Sequence, residues 1–203
     1  MRNLLVPVLF AAVLGASQTA SATTDDAARL VHQLGNQTIA TLQTPGLTVE
    51  QRETRFRGLL TQGFDLTFIG RFALGKYWRV ATPEQQSAYL NLFGEYLVQT
   101  YATRLGGYGG GTMTVIGARQ ASDKDVVVRT QIGATGGRTL IADWRVRAGA
   151  QGYRIIDVMI EGISLAITHR VEFAAVVERH GIDGLLAILR DHTARTQTTA
   201  ALF

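Results

Sequence analysis

The stretch Tyr153–Phe173, YRIIDVMIEGISLAITHRVEF, decides the fold. In its first half Tyr153, Ile155, Asp157 and Met159 alternate with Arg154, Ile156, Val158 and Ile160, and both sets are largely apolar. A strand with two apolar faces must be covered on both sides, which places it centrally in a sheet. Glu161-Gly162 ends the strand, because glycine admits the backbone angles of a sharp turn. Ile163, Ile167, Val171, Ala174 and Val177 then recur at helical spacing and predict the apolar face of a helix. Ser164 or Glu161 is available near its start as a cap, and Gly181 is a natural C-terminal stop. The rest of the chain must supply the layers that cover this strand, turn and helix.

Working outward toward the N-terminus, the period stays at two. Thr112–Arg119, Asp125–Ile132 and Arg138–Val146 read as three further strands, separated by Asp123-Lys124, Gly136-Gly137 and the Gly149–Gly152 turn. Short connections between consecutive strands imply antiparallel pairing in a meander. Leu140, Ala142, Trp144 and Val146 share one face of the third strand, and Arg145 and Arg147 take the other.

Before Gly106–Gly111 the pattern is helical. Ala27, Leu30, Val31, Leu34 and Thr38 mark one amphipathic face. Thr48 opens a second helix with Gln51 as its capping-box partner, Phe56, Leu59 and Leu60 as its apolar side, and Gly63 as its end. Phe64–Val80 is rich in aromatics and predicts a short helix, capped by Asp65, followed by an irregular connection. Thr82-Pro83-Glu84-Gln85 is a further helix start, and Tyr89, Leu90, Phe93, Tyr96, Leu97 and Tyr101 form that helix's stripe. C-terminal to Gly181, Asp183 predicts the cap of a last short helix carrying Leu185, Leu186 and Leu189, and the polar tail from Thr193 is expected to fray. Helices gathered first and a sheet second define an α+β domain: a curved antiparallel sheet of about four strands, with helices on its concave side able to enclose an apolar pocket.

Arg2, the apolar run Leu4–Ala16 and Ala20-Ser21-Ala22 make residues 1–22 a secretory signal peptide. The competing membrane-anchor reading fails on length, since the run falls well short of the roughly 20 residues a span requires. Cysteine is absent, which removes disulfides, thiol nucleophiles and Cys metal sites. The formal charge of +4 becomes +3 once Arg2 is cleaved away. No run of Lys and Arg with interleaved aromatics stands out, which argues against nucleic acid, although a mild positive surface suits anionic headgroups or an acidic partner. The Gly106–Gly111 cluster lacks the Lys-Ser or Lys-Thr of a phosphate loop and reads as a connection.

Catalytic candidates are few. His32, His169, His180 and His192 show no metal-ligand spacing, so no metal or cofactor is expected, and no nucleophile signature occurs. Asp157 is the best buried acid. It could be a general base in an apolar pocket, or a structural acceptor pinning strand to helix through an Arg, a Tyr or a backbone amide; the second reading is favoured.

Phe64–Leu105 carries F-D, L-G-x-Y-W-R and T-P-E-Q, and Arg154–Arg190 carries D-V-x-x-E-G-x-S-L, a downstream Arg and Phe, and G-x-D-G-L. These blocks resemble the two blocks of the MlaC family, also called toluene-tolerance proteins, and the resemblance covers nearly all of the mature chain. The Gly106–Gly111 cluster and the short polar tail depart from the pattern. The resemblance implies a periplasmic phospholipid-binding shuttle without enzymatic activity. Such a shuttle carries lipid between an outer-membrane lipoprotein complex and an inner-membrane ABC transporter complex, and so maintains outer-membrane lipid asymmetry. A related branch in hopanoid biosynthesis makes a hopanoid the alternative cargo.

The implied fold is nuclear-transport-factor-like, with residues 23–192 as one lipid-binding domain and 193–203 as a tail. Phe72, Trp78, Leu97, Tyr101, Val128, Trp144, Ile156, Val158 and Leu165 are the expected lining for two acyl chains. Arg170 or Lys76 is expected at the headgroup. A small pocket enzyme using Asp157 and a solid-cored interaction module are the competing readings.

Overall fold

The computed structural model describes residues 23–105, 111–133, 137, 139–150 and 152–200. Residues 1–22, expected as a signal peptide, and most of the Gly106–Gly111 connection therefore lie outside the described residues. Five helices and a five-stranded antiparallel sheet are present: α1 Thr24–Gln43, α2 Val49–Gly63, α3 Leu66–Leu74, a short 3₁₀ helix Gly75–Arg79, α4 Pro83–Leu105, β1 Thr112–Gln120, β2 Asp125–Gly133, β3 Thr139–Gly149, β4 Gly152–Ile160, β5 Ile163–Ser164 and α5 Leu165–Ala200. The strand order β1-β2-β3-β4-β5 is the expected meander.

The helix starts follow their local chemistry. Thr48 and Gln51 form the reciprocal capping box. Thr82 and Gln85 do the same at α4. The Asp65 carboxylate accepts from the Phe68 amide at 2.8 Å and opens α3.

The expected central position of Tyr153–Ile160 is corrected. β4 is next to the edge, and β5, a fifth strand of two residues, follows it through the Glu161-Gly162 turn, where both residues have positive φ. Its remaining edge is covered by a parallel bridge between Phe64 and Ile155, with the Asp65 amide donating to the Ile155 carbonyl at 3.0 Å. The strand is thus buried on both faces without being central.

Strict alternation also breaks within it. β3 pairs Arg145 with Asp157 but Val146 with Ile155, leaving Ile156 as an extra residue in a bulge. As a result Ile155 and Val158, which alternation assigns to opposite faces, both join Val146 and Trp144 on one side. A second bulge at Ile116 in β1 bends the opposite edge.

That side is the apolar face of the sheet. Val126, Val128, Val146, Ala148, Ile155 and Val158 pack there with Ala27, Val31 and Leu34 of α1. The other face carries ion pairs: Asp125 receives both Arg145 and Arg147, and Asp143 receives Arg129. A second core lies among the helices, built from Leu60, Ile69, Leu74, Tyr89, Phe93, Val98, Phe173, Val177, Leu185 and Leu189 together with smaller side chains. Phe64, at the junction of α2 and α3, packs against both cores.

α5 departs most from expectation. Its buried face is Ala166, His169, Phe173 and Val177, while Ile163, Ile167 and Val171 are 65%, 55% and 65% exposed. The helix is set by Ser164, whose hydroxyl accepts from the Ile167 amide at 3.1 Å. Gly181 does interrupt it, at φ 69 and ψ 178. Helix resumes directly afterwards and continues through Ala200, so the backbone from Thr193 is helical instead of frayed. Asp183 makes no cap; its carboxylate accepts from the Gln85 side chain at 2.8 Å and ties α5 to α4.

Candidate functional site

Two features stand out from the packing: an apolar sheet face bordered by partly buried side chains, and a cationic groove on the helical side. The rim comes from large side chains that surround the sheet-side core without being fully buried. Phe64, Trp144, Ile160 and Leu165 are among them. Trp144 packs partly buried against this core, and its polar edge is satisfied within the sheet. The indole N–H donates to the Thr130 hydroxyl at 2.9 Å, and that hydroxyl donates to the Ala142 carbonyl at 3.3 Å. Phe64 meets Trp144 edge-on at 6.5 Å. An apolar surface of this kind, with its polar groups paired internally, can exchange contacts with hydrocarbon without exposing an unsatisfied donor.

The groove has a volume of about 680 Å³ and is lined by Asp65, Thr67, Phe68, Arg71, Phe72, Gly75, Lys76, Trp78, Arg79 and Arg170. That lies within the roughly 300–1,000 Å³ of small-molecule sites. α3, the 3₁₀ helix and α5 each contribute a wall. Gly75, at φ 61, turns the chain between α3 and the 3₁₀ helix, and a Cβ there would come within 3.1 Å of the Arg170 Nε. The cations lie over rings: Arg170 over Phe72 at 5.0 Å, Arg71 over Trp78 at 5.2 Å and Lys76 over Tyr77 at 5.0 Å. Tyr77 and the Glu178 carboxylate, 3.5 Å from the Lys76 ammonium, hold that lysine above its ordinary pKa. Among the described residues Arg71, Arg79 and Arg170 form no ion pair.

The structure distributes the sequence-expected lining over four places. Phe72 and Trp78 line the groove, together with both expected headgroup residues, Arg170 and Lys76. Val128, Trp144, Val158 and Leu165 lie in or against the sheet-side core. Leu97 is buried in the helical core, and Tyr101 packs against it, its hydroxyl 3.0 Å from the His169 Nε2. Ile156, the bulge residue, is buried outside the cluster that holds Val158. Sequence reading missed Phe68, Arg71, Arg79 and Gly75. The signal was present: Arg71-Phe72 and Lys76-Tyr77-Trp78-Arg79 are cations interleaved with aromatics, contrary to the expectation that no such run exists.

Asp157 takes the structural position. Its carboxylate accepts from the Ser164 hydroxyl at 2.6 Å and from the Ala166 amide at 3.2 Å, so it fastens β4 to the first turn of α5. Among the described residues no group of three or more His, Asp or Glu side chains could hold a metal ion, and no helix is long and apolar enough to cross a membrane.

Comparison with known proteins bears on the family and the fold. The family model described as MlaC protein matches residues 12–191. A solved structure of a phospholipid-binding protein from Ralstonia solanacearum, in complex with a phospholipid, superposes with a TM-score of 0.76 at 29% sequence identity. The match covers 85% of this chain and 99% of that one.

Proposed function

The chain belongs to the MlaC family, and from that premise we propose that it is an exported, periplasmic carrier of phospholipid rather than an enzyme. The observation that carries the reading is the apolar sheet face with its partly buried rim of Phe64, Trp144, Ile160 and Leu165. Phospholipid in the Ralstonia solanacearum relative supports it. Two acyl chains contain about 30 methylenes, worth roughly 24 kcal/mol of burial at ~0.8 each. A carrier must offer hydrocarbon contacts of similar extent, or lipid stays in the bilayer. We place the chains along the side of the sheet that carries Val128, Trp144, Val158 and Leu165, reached by parting the seam that Phe64 bridges. Phe72 and Trp78 extend the lining toward the groove, where Lys76 and Arg170 meet the phosphate.

Delivery then runs between an outer-membrane lipoprotein complex and an inner-membrane ABC transporter complex, which keeps the outer membrane asymmetric. No covalent chemistry is required, and the engagement of Asp157 by α5 speaks against the pocket-enzyme alternative.

The test is lipid occupancy in variants purified from cells. Trp144→Asp and Val158→Asp put an unpaired carboxylate on the proposed lining and are expected to lower phospholipid recovery at least tenfold in chains that remain folded by circular dichroism. Unchanged recovery in both removes the sheet face from the site. Extraction of a hopanoid in place of a phospholipid would reassign the cargo.

A further inference from the structure

Of the apolar stripe that the sequence predicts for α5, Val177 is buried in the helical core, but the N-terminal part is left uncovered. Ile163, Ile167 and Val171 follow one another at four-residue spacing and are 65%, 55% and 65% exposed. Ile167 and Val171 one turn apart on the water-facing side of α5, with Ile163 of β5 just ahead of them, mark an interaction surface more than chance does. Helical geometry places this row beside the groove. Arg170, a groove wall, lies three residues on from Ile167 and is therefore its neighbour on the helix surface. One turn beyond Ala174 the same side reaches Glu178, which accepts from the Tyr77 hydroxyl at 2.9 Å and so abuts the 3₁₀ helix. That helix ends at Arg79, next to Val80, which is 72% exposed.

One face thus combines four cations, Arg71, Lys76, Arg79 and Arg170, against two carboxylates, Asp65, which is engaged as the cap of α3, and Glu178, which pairs with Lys76, so that three guanidinium groups stay in excess. Its aromatic rings sit beneath the cations, and its aliphatic row stands along one side. Cation, aromatic and exposed aliphatic groups at one level are what the boundary between headgroups and acyl chains selects.

We propose that this face docks the protein on an anionic phospholipid leaflet, with the groove cations among the phosphates and the Ile163–Ile167–Val171 row at the acyl boundary. The occupant follows from charge complementarity: three guanidinium groups without ion-pair partners suit a field of phosphates. A flat apolar partner would leave them unmatched. Leaflet docking shares Lys76 and Arg170 with the proposed cargo-headgroup position, but Arg71, Arg79 and the aliphatic row have no part in that assignment, so docking and lipid occupancy can fail separately.

Cosedimentation of the mature chain with large unilamellar vesicles tests it, using phosphatidylglycerol vesicles against phosphatidylcholine vesicles at low and high salt. Binding to phosphatidylglycerol that weakens with salt is expected. Arg71→Gln with Arg79→Gln should reduce it roughly twenty-fivefold, at about fivefold per cation near a charged surface. Ile167→Ser with Val171→Ser should reduce it severalfold without abolishing its salt dependence. Val49→Ser, an exposed apolar residue on α2, serves as the control and should bind as the unaltered chain does. Co-purified lipid measured on the same samples separates failure of docking from failure of the carrier reading. Equal partition onto the two vesicle types, no binding to either, or paired variants that bind like the unaltered chain overturns the proposal.

Discussion

Asp157 shows how one side chain separates two accounts of the molecule. A carboxylate midway along a buried strand invites a catalytic reading, but both of its oxygens are committed to the start of α5. Asp157→Asn keeps the shape and loses the charge-assisted acceptor, so it should destabilise the fold by about 1–3 kcal/mol. Lipid occupancy of the surviving folded protein should be unchanged; urea midpoints and lipid extraction on one preparation check both statements. Asp125 gives a pH prediction. The hydrogen bond from Arg147 leads in holding its carboxyl below the ordinary aspartate value, Arg145 assists, and partial burial opposes them. Asp143 is lowered in the same way by Arg129. A depressed native value means the unfolded chain takes up protons first as the solution is acidified. The stabilisation is therefore complete well above about pH 4 and is lost as pH falls through the native value. Asp125→Asn should flatten the acid limb of a plot of urea midpoint against pH. An identical acid limb in the variant would show that this cluster does not contribute.

Among the elements, legibility tracked whether the deciding interaction is local. The boundaries of α2, α3 and α4 were readable because Thr48 with Gln51, Asp65 with Phe68, and Thr82 with Gln85 lie within one turn of each other. The face assignment of β3 was readable because period two carries it. β4 was misjudged for two reasons that no local pattern encodes. Its outer edge is covered by a segment 90 residues upstream, and its register slips by one at Ile156. α5 was misjudged because two apolar stripes compete on it, and only contact with α3 and α4 shows that Phe173 and Val177 win over Ile167 and Val171. The groove has the same origin, since Arg170 meets Phe72 only through the fold. Gly181 is an element-scale feature with a direct test. Its φ of 69 and ψ of 178 fall where only glycine is comfortable, so Gly181→Ala should cost about 1–3 kcal/mol. A melting temperature equal to that of the unaltered chain would show that the interruption of α5 is not required.

At the scale of the whole molecule a cysteine-free domain is built around two separate cores, which is the division that the proposed lipid entry uses. The helical core is packed tightly around buried rings, with Tyr89, Phe93 and Phe173 in mutual contact. The sheet-side core is sealed by α1 at one end and ringed elsewhere by partly exposed Phe64, Trp144 and Leu165. Separating the cores at Phe64 costs few hydrogen bonds, because the sheet keeps its own ladder and each helix its own caps. Native mass spectrometry of the mature chain purified from cells addresses this most directly. The account predicts a dominant species heavier than the bare chain by the mass of one two-chain phospholipid, released on denaturation and identified by extraction. A protein that emerges at its bare mass, and takes up no phospholipid when incubated with vesicles, would contradict it.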